Sequence, residues 1–221
     1  MRIGFIGIGV MGFPMAGHLS SNGFDVCVFN RSQKKSLNWV TKFTGSLCNS
    51  PLEIASQCDI IILCVGKDED VKEVICGENG ILKSIKPGTI IIDHTTTSAT
   101  LAKDMNQILK EKKAYFLDAP ISGGQAGAEE GKLSVMVGGD EQAFTKVKDV
   151  LGAYSKFVKY MGSSGSGQLT KMVNQICIGG LLQALAEGIN FSEKAGLNTE
   201  DVMEVITKGC LLYTSPSPRD H

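Results

Sequence analysis

The sequence has no C-x-x-C pair, although it holds seven cysteines (27, 48, 58, 64, 76, 177 and 210). That removes the usual zinc-ribbon and dithiol motifs. The cysteines fall mostly inside apolar segments, as small buried thiols do, so a reducing, cytoplasmic compartment is expected. The three histidines lie far apart, and no local metal motif exists. Neither sign of charge is in excess: 22 Lys and Arg stand against 23 Asp and Glu, a net charge of -1. Without a basic face, nucleic acid is not an expected partner. The first residues offer no basic lead and no apolar run of membrane-spanning length, so neither a signal peptide nor a membrane partner is expected. Apolar residues make up 43% of the 221 and charged residues 20%. Such a chain is globular and long enough for one good core and part of a second.

What is present is organised around its first stretch. Arg2-Ile3-Gly4-Phe5-Ile6 is an apolar run of strand type. It passes into Gly7-Ile8-Gly9-Val10-Met11-Gly12, a G-x-G-x-x-G turn, and then into a helical pattern through Leu19. Strand, glycine turn and helix in that order form a dinucleotide-binding turn. Gly7 permits the tight turn, Gly9 lets a pyrophosphate approach the backbone, and Gly12 lets helix and strand pack closely. The free N–H groups and the positive end of the helix dipole then face the phosphates.

A further absence bears on the cofactor. The second strand, Asp25–Phe29, ends at Asn30-Arg31-Ser32, about 20 residues past the glycine turn, where an acidic residue would hold the ribose 2′-hydroxyl of NAD. No acid stands there. Arg31 can instead fork onto a 2′-phosphate, which favours NADP(H) while leaving NAD open.

Further on, strands alternate with helices. Residues 59–65, 89–93 and 115–120 read as strands, the first two buried on both faces, and 133–139 and 156–161 as later ones. Ser50-Pro51-Leu52-Glu53 reads as a helix start, with helices also expected at 71–75, 101–109, 144–151, 168–195 and 200–208. Gly196 fits a C-cap. The pattern gives an α/β fold with a doubly wound parallel sheet. Such sheets bind ligands beyond the carboxyl ends of their strands, where Gly7–Gly12, Asn30–Ser32, Val65, Thr95–Thr96 and Ile121–Gly124 all fall.

The long helix is apolar around much of its circumference, so burial on several sides is expected. Lys171 and Asn174 are the polar pair on one of its faces. A lysine in a partly dry cleft can act as a proton donor and acceptor. On spacing alone, the favoured reading of Lys171 is a snorkelling lysine near a helix start. Residues 210–221, with prolines at 216 and 218, read as an extended tail.

Four motifs occur in order: FIGIGVMGFPMAGHL from Phe5 to Leu19, DHTT from Asp93 to Thr96, DAPISGG from Asp118 to Gly124, and GSGQLTKMVN from Gly165 to Asn174. Over residues 2 to about 209 the chain resembles the β-hydroxyacid dehydrogenases, the group of 3-hydroxyisobutyrate dehydrogenase, tartronate semialdehyde reductase and glyoxylate/succinic semialdehyde reductase. The resemblance implies a Rossmann-type domain at 1–162, followed by the long helix and the start of an all-helical domain at 163–209, with 210–221 matching nothing. It implies an enzyme interconverting a small carboxylate-bearing hydroxyacid and its semialdehyde. Lys171 would be the general acid/base. Asn174 would hold the substrate, with Gln175 where the family often has a second Asn. Ser122 and the N–H groups of Gly123 and Gly124 would cradle the carboxylate, and Thr96 would lie beside the nicotinamide. Full-length members are expected as dimers or tetramers. The chain departs from the pattern at Val65-Gly66, where Leu-Pro is usual, and at Ala99, where Pro is usual. The family's helical domain also continues further and carries a second lysine, so Leu181, Leu182, Leu185 and Ile189 are expected to be partly bare here and activity to be low or absent. The competing expectations are a cofactor-binding fragment without turnover and an enzyme like 6-phosphogluconate dehydrogenase.

Overall fold

The computed structural model describes residues 1–209, so the expectation for the tail lies outside the described residues. In chain order the elements begin β1 (Arg2–Ile6), α1 (Gly12–Ser21), β2 (Asp25–Phe29), α2 (Gln33–Val40), β3 (Ser46–Leu47) and α3 (Pro51–Gln57). They continue β4 (Ile60–Leu63), α4 (Asp68–Cys76), β5 (Ile90–Asp93), α5 (Ala99–Glu111), β6 (Tyr115–Asp118), β7 (Ile121–Ser122) and α6 (Gly124–Glu129). Then come β8 (Leu133–Gly139), α7 (Glu141–Gly152), β9 (Ser155–Gly162), α8 (Ser166–Lys194) and α9 (Thr199–Thr207).

The sheet runs β3-β2-β1-β4-β5-β6-β8-β7, with β9 on β8. From β3 to β6 every pairing is parallel. The chain winds outward from β1 to β3, then returns to add β4 on the other side of β1. The crevice beyond β1 and β4 is therefore the switch point at which such sheets bind ligands. Beyond β6 the expected parallel order fails: β8 runs antiparallel to both β6 and β7. Only α6 and two short loops separate β7 from β8, too little for a parallel crossover, so the two return on each other.

Alternation along the strands divides the core between the two faces. Ile60, Ile62, Ile90 and Ile92 join Ile3, Phe5, Met15 and Leu19 on one face. Ile61, Leu63 and Ile91 join Ile54, Val71, Ile75, Leu101 and Met105 on the other. Some helices start at side-chain caps, α3 and α7 among them. Ser50 Oγ accepts the Glu53 N–H at 3.1 Å, and Glu53 Oε2 accepts that of Asn49 at 2.7 Å. Asp140 Oδ1 accepts the Ala143 N–H at 2.8 Å. The cysteines are less uniformly buried than expected: Cys27, Cys48 and Cys58 are buried, Cys64 is intermediate, and Cys76 and Cys177 are exposed.

The chain divides into two compact units, Met1–Met172 and a second from Val173 onward, with α8 passing through the division. In the second unit α8 and α9 enclose an apolar groove of about 250 Å³, lined by Leu181, Leu185, Ile189, Val202 and Ile206 among others. Asn198 caps α9, its Oδ1 accepting the Glu200 N–H at 3.0 Å. Gly196 has a φ of 72°, the left-handed geometry expected after a helix end. Burial of α8 on several sides is not seen, and Leu181, Leu182, Leu185 and Ile189 are partly bare, as the resemblance implied. Val173, Ile176, Leu181, Leu182 and Phe191 are exposed, Ile176 by 74%. By length and composition α8 could cross a membrane, with a mean hydropathy of 1.2 over its most apolar stretch.

Candidate active site

The glycine turn behaves differently at each of its three glycines. Gly7 has a φ of 101°, open to glycine at little cost, and a Cβ there would strike the Cys64 carbonyl. A Cβ on Gly12 would strike the Gly7 carbonyl oxygen, so this position is dictated by packing of α1 on β1. Gly9 is the opposite case: a Cβ there would meet no atom within 4 Å. Its bareness serves nothing inside the fold and leaves space on the cleft side. Helix α1 has no side-chain cap and no acidic residue in its first turn, so its positive end is uncompensated. A pyrophosphate fits this cradle.

Gly7 and Gly9 open onto a cleft of about 640 Å³ between the ends of β1, β2 and β4 and the starts of α3 and α4. Of the expected cofactor residues, Asn30, Arg31, Ser32 and Val65 also line it. Ile8 is buried and contributes its N–H, which Asn30 Oδ1 accepts at 2.9 Å. Val10 is exposed and Met11 half-buried at the head of α1. Several charged lining residues were not expected from the sequence. Lys35 sits in the first turn of α2, close after Arg31 and Ser32. Asp70, from the first turn of α4, places a carboxylate 3.6 Å from the Arg31 guanidinium. Acids are thus present after all, Asp70 and Glu73 from α4 and Glu78 just beyond it, and not from the end of β2. The Arg31 side chain is 93% exposed and free to turn toward a ligand.

The second half of the site is built at the ends of β4, β5 and β6. Thr95 Oγ1 accepts the Val65 N–H at 3.1 Å. Thr95 and Thr97 are buried, whereas Thr96 between them is exposed. The buried Gln168 side chain reaches this loop, donating to the Thr95 carbonyl at 2.7 Å and accepting from the Thr97 N–H at 3.1 Å. Asp118, fully buried at the end of β6, accepts the N–H groups of Gly165 (2.7 Å) and Gln168 (3.0 Å) and so holds the first turn of α8. Lys171 follows one turn later, half-buried, and burial holds its ammonium below the ordinary lysine range.

Ser122 is half-buried beside Gly123 and Gly124, whose φ values of 135° and 61° expose the backbone there. Asn174 belongs to the second unit, where its amide donates to Gln175 Oε1 at 3.1 Å. His94, between Asp93 and Thr95, is structural: Nδ1 donates to the Ala119 carbonyl (2.6 Å) and Nε2 accepts from the Tyr154 hydroxyl (2.8 Å). Burial lowers its pKa to about 4, keeping it neutral. Among the described residues, no group of three or more His, Cys, Asp or Glu is placed to hold a metal.

Comparison with known proteins accounts for nearly the whole described chain. Residues 2–162 match the family described as the NAD binding domain of 6-phosphogluconate dehydrogenase. Residues 165–211 match the NAD-binding family of NADP-dependent 3-hydroxyisobutyrate dehydrogenase. An uncharacterised oxidoreductase of Shewanella frigidimarina is 50% identical over 94% of this chain and 72% of its own length. A probable mitochondrial 3-hydroxyisobutyrate dehydrogenase-like protein of Arabidopsis thaliana is 39% identical over 94% of this chain and 69% of its own. Among solved structures, the 3-hydroxyisobutyrate dehydrogenase of Mycobacterium tuberculosis, solved with L-serine, is 30% identical. It has a TM-score of 0.86, covering 94% of this chain and 70% of that one. The chain belongs to the β-hydroxyacid dehydrogenase family of NAD(P)-dependent oxidoreductases.

Proposed function

We propose that the chain is an NADP(H)-dependent enzyme interconverting a small β-hydroxyacid and its semialdehyde, with Lys171 as the proton-transferring group. The observation that carries this is the half-buried lysine one helical turn beyond an anchored helix start, its ammonium held below the usual lysine range by burial. A lysine so tuned can give a proton to a carbonyl oxygen and take it back from a hydroxyl at accessible pH.

The cofactor site divides into three jobs. Gly9 and the head of α1 admit the pyrophosphate. Arg31 and Lys35 supply positive charge at the far end of the cleft, for a 2′-phosphate. Val65 and the exposed Thr96 flank the nicotinamide. The nicotinamide supplies the hydride in reduction and receives it in oxidation. Ser122 and the N–H groups of Gly123 and Gly124 hold the substrate carboxylate, and Asn174, three residues along from Lys171, steadies the reacting oxygen. In reduction the Lys171 ammonium would give its proton to the substrate carbonyl oxygen. In oxidation the free amine removes the hydroxyl proton.

The test is NADPH oxidation by the purified chain, against a panel of succinic semialdehyde, glyoxylate, tartronate semialdehyde and methylmalonate semialdehyde. Turnover with at least one, lost in Lys171→Ala, supports the reading. Tight NADPH binding without turnover would instead favour a cofactor-binding fragment.

A further inference from the structure

We propose that Gln168 is a positioning residue for the reaction, its carboxamide bracketing Thr96 and fixing the helix turn that carries Lys171 to the loop beside the nicotinamide. This rests on the roles given above to Lys171 and Thr96.

The loop at the end of β5 presents two backbone groups of opposite polarity, the carbonyl of Thr95 and the N–H of Thr97. A single side chain satisfies both only if it has a donor and an acceptor on one rigid head. Gln168 is such a group: Nε2 donates to Thr95 O at 2.7 Å and Oε1 accepts from Thr97 N at 3.1 Å. The pairing fixes which way the amide points. It leaves Thr96 alone in the loop with its side chain outward.

The other end of the bridge is equally fixed. The backbone N–H of Gln168 is held by Asp118 Oδ2 at 3.0 Å, and that of Gly165 by Oδ1 at 2.7 Å. At Gly167 the helix lies so close that a Cβ would stand 2.5 Å from the carbonyl oxygens of Asp118 and Met136. The first turn of α8 therefore has one seat, against the ends of β5 and β6. Lys171 lies three residues beyond Gln168, so its starting point is set through this side chain. Gln168 itself is fully buried, and nothing in the structure suggests contact with a ligand.

Three variants of the full chain test this: Gln168→Met, which keeps the shape and loses both bonds; Gln168→Glu, which keeps the acceptor and loses the donor until it is protonated; and Lys171→Arg. The first readout needs no turnover. Lysines are reductively methylated with ¹³C-formaldehyde, the Lys171 signal is assigned by its loss in Lys171→Arg, and its titration is followed by NMR. In the parent chain that signal should titrate below the other lysines. In Gln168→Met it should move up toward them while NADPH binding persists. The second readout is NADPH oxidation, where misplacing a proton donor costs on the order of 10²-fold in kcat. Gln168→Met should show that loss at every pH, and Gln168→Glu should recover as acid protonates the carboxyl and restores a donor toward Thr95. Unchanged Lys171 titration in Gln168→Met, or parent-level kcat in both Gln168 variants, overturns the proposal. So does a loss of NADPH binding equal to the loss of turnover, which would mark Gln168 as a fold residue only. If Lys171→Arg itself retains full turnover, the failure belongs to the role of Lys171 and not to Gln168.

Discussion

Asn30 Oδ1 accepts the N–H of Ile8 at 2.9 Å, so the end of β2 and the glycine turn after β1 are held as one piece. The same side chain donates to the Ser32 carbonyl at 3.1 Å and shapes the approach to Arg31. The pyrophosphate cradle and the ribose end of the cleft are thus built together. Arg31 itself is 93% exposed, its only ion pair among the described residues being the 3.6 Å contact with Asp70.

The cofactor preference is tested on that arrangement. Arg31→Ala and Lys35→Ala should each weaken NADPH by about 1.5–3 kcal/mol, the scale of a hydrogen bond to a charged group. NADH should hardly change. Asp70→Asn removes the carboxylate competing for Arg31 and should tighten NADPH selectively. Fluorescence titration with both cofactors reads all three, and equal changes for NADH and NADPH would defeat the assignment.

The glycines of the turn should separate fold from function. In Gly9→Ala the new methyl meets nothing in the protein and projects toward the cleft, so melting should stay near that of the parent chain while cofactor binding weakens. In Gly12→Ala the methyl runs into the Gly7 carbonyl, so the chain should lose stability by roughly 1–3 kcal/mol, the cost of overpacking. Thermal melts with and without NADPH distinguish the two. A Gly9→Ala chain that binds NADPH normally would show that the pyrophosphate lies elsewhere.

Lys171→Met keeps much of the side-chain stem and removes the proton donor. Turnover should fall by about 10²–10⁴, the usual range for general acid–base catalysis, with NADPH binding retained. Burial lowers the pKa of Lys171, so the amine form gains ground at lower pH than for a free lysine. Reduction should therefore decline as pH rises through that lowered value, and oxidation should climb over the same interval. A variant as active as its parent would return Lys171 to the snorkelling reading.

The bare apolar residues of α8 should drive association. Ile176, Leu182 and Phe191 are 74%, 61% and 71% exposed and lie on more than one side of the helix, and large apolar side chains bared together favour contact between molecules. Sedimentation should show mass rising with concentration, and Leu182→Lys with Ile176→Lys should reduce it. A monodisperse monomer at high concentration would show that these bare residues are harmless in water.

Much of this site could be read from residue order, because its parts are local. The strand, turn and helix around Gly7–Gly12 lie within 20 residues, and the glycine spacing carries the geometry. Asn30–Ser32 and Val65, which line the cleft, followed from strand ends alone. Lys35 and Asp70 were missed because each enters the cleft from a helix face whose direction depends on how α2 and α4 pack. The antiparallel edge at β8 was missed because β7 has only two residues and α6 is rich in glycine and alanine, leaving no periodicity to read. For α8 the apolar pattern alone pointed to burial, whereas the resemblance pointed to Leu181, Leu182, Leu185 and Ile189 being partly bare, as they are: an apolar pattern marks a surface that can be covered, not what covers it.

Asp93 should make stability depend on pH. It is 1% exposed, its Oδ1 accepts the Thr95 N–H at 2.9 Å, and its Oδ2 has no partner among the described residues. Burial raises its pKa from 3.8 to about 7; the bonds from Thr95 oppose this, and the charges of Asp118 and Asp68 add to it. The sign follows from proton linkage. The folded chain holds this proton more tightly than the unfolded chain, so the associated stability is fully present below about pH 4 and is lost as pH rises toward 7. In Asp93→Asn the Thr95 acceptor is kept and the buried charge cannot form. Relative to the parent, this variant should gain stability progressively between pH 4 and 7, by a few kcal/mol at most, and then hold level. Urea denaturation at pH 4.5, 6 and 8 measures it. A difference between the two chains that does not vary with pH would mean that Asp93 is ionised in the fold throughout, with a partner or solvent contact at Oδ2.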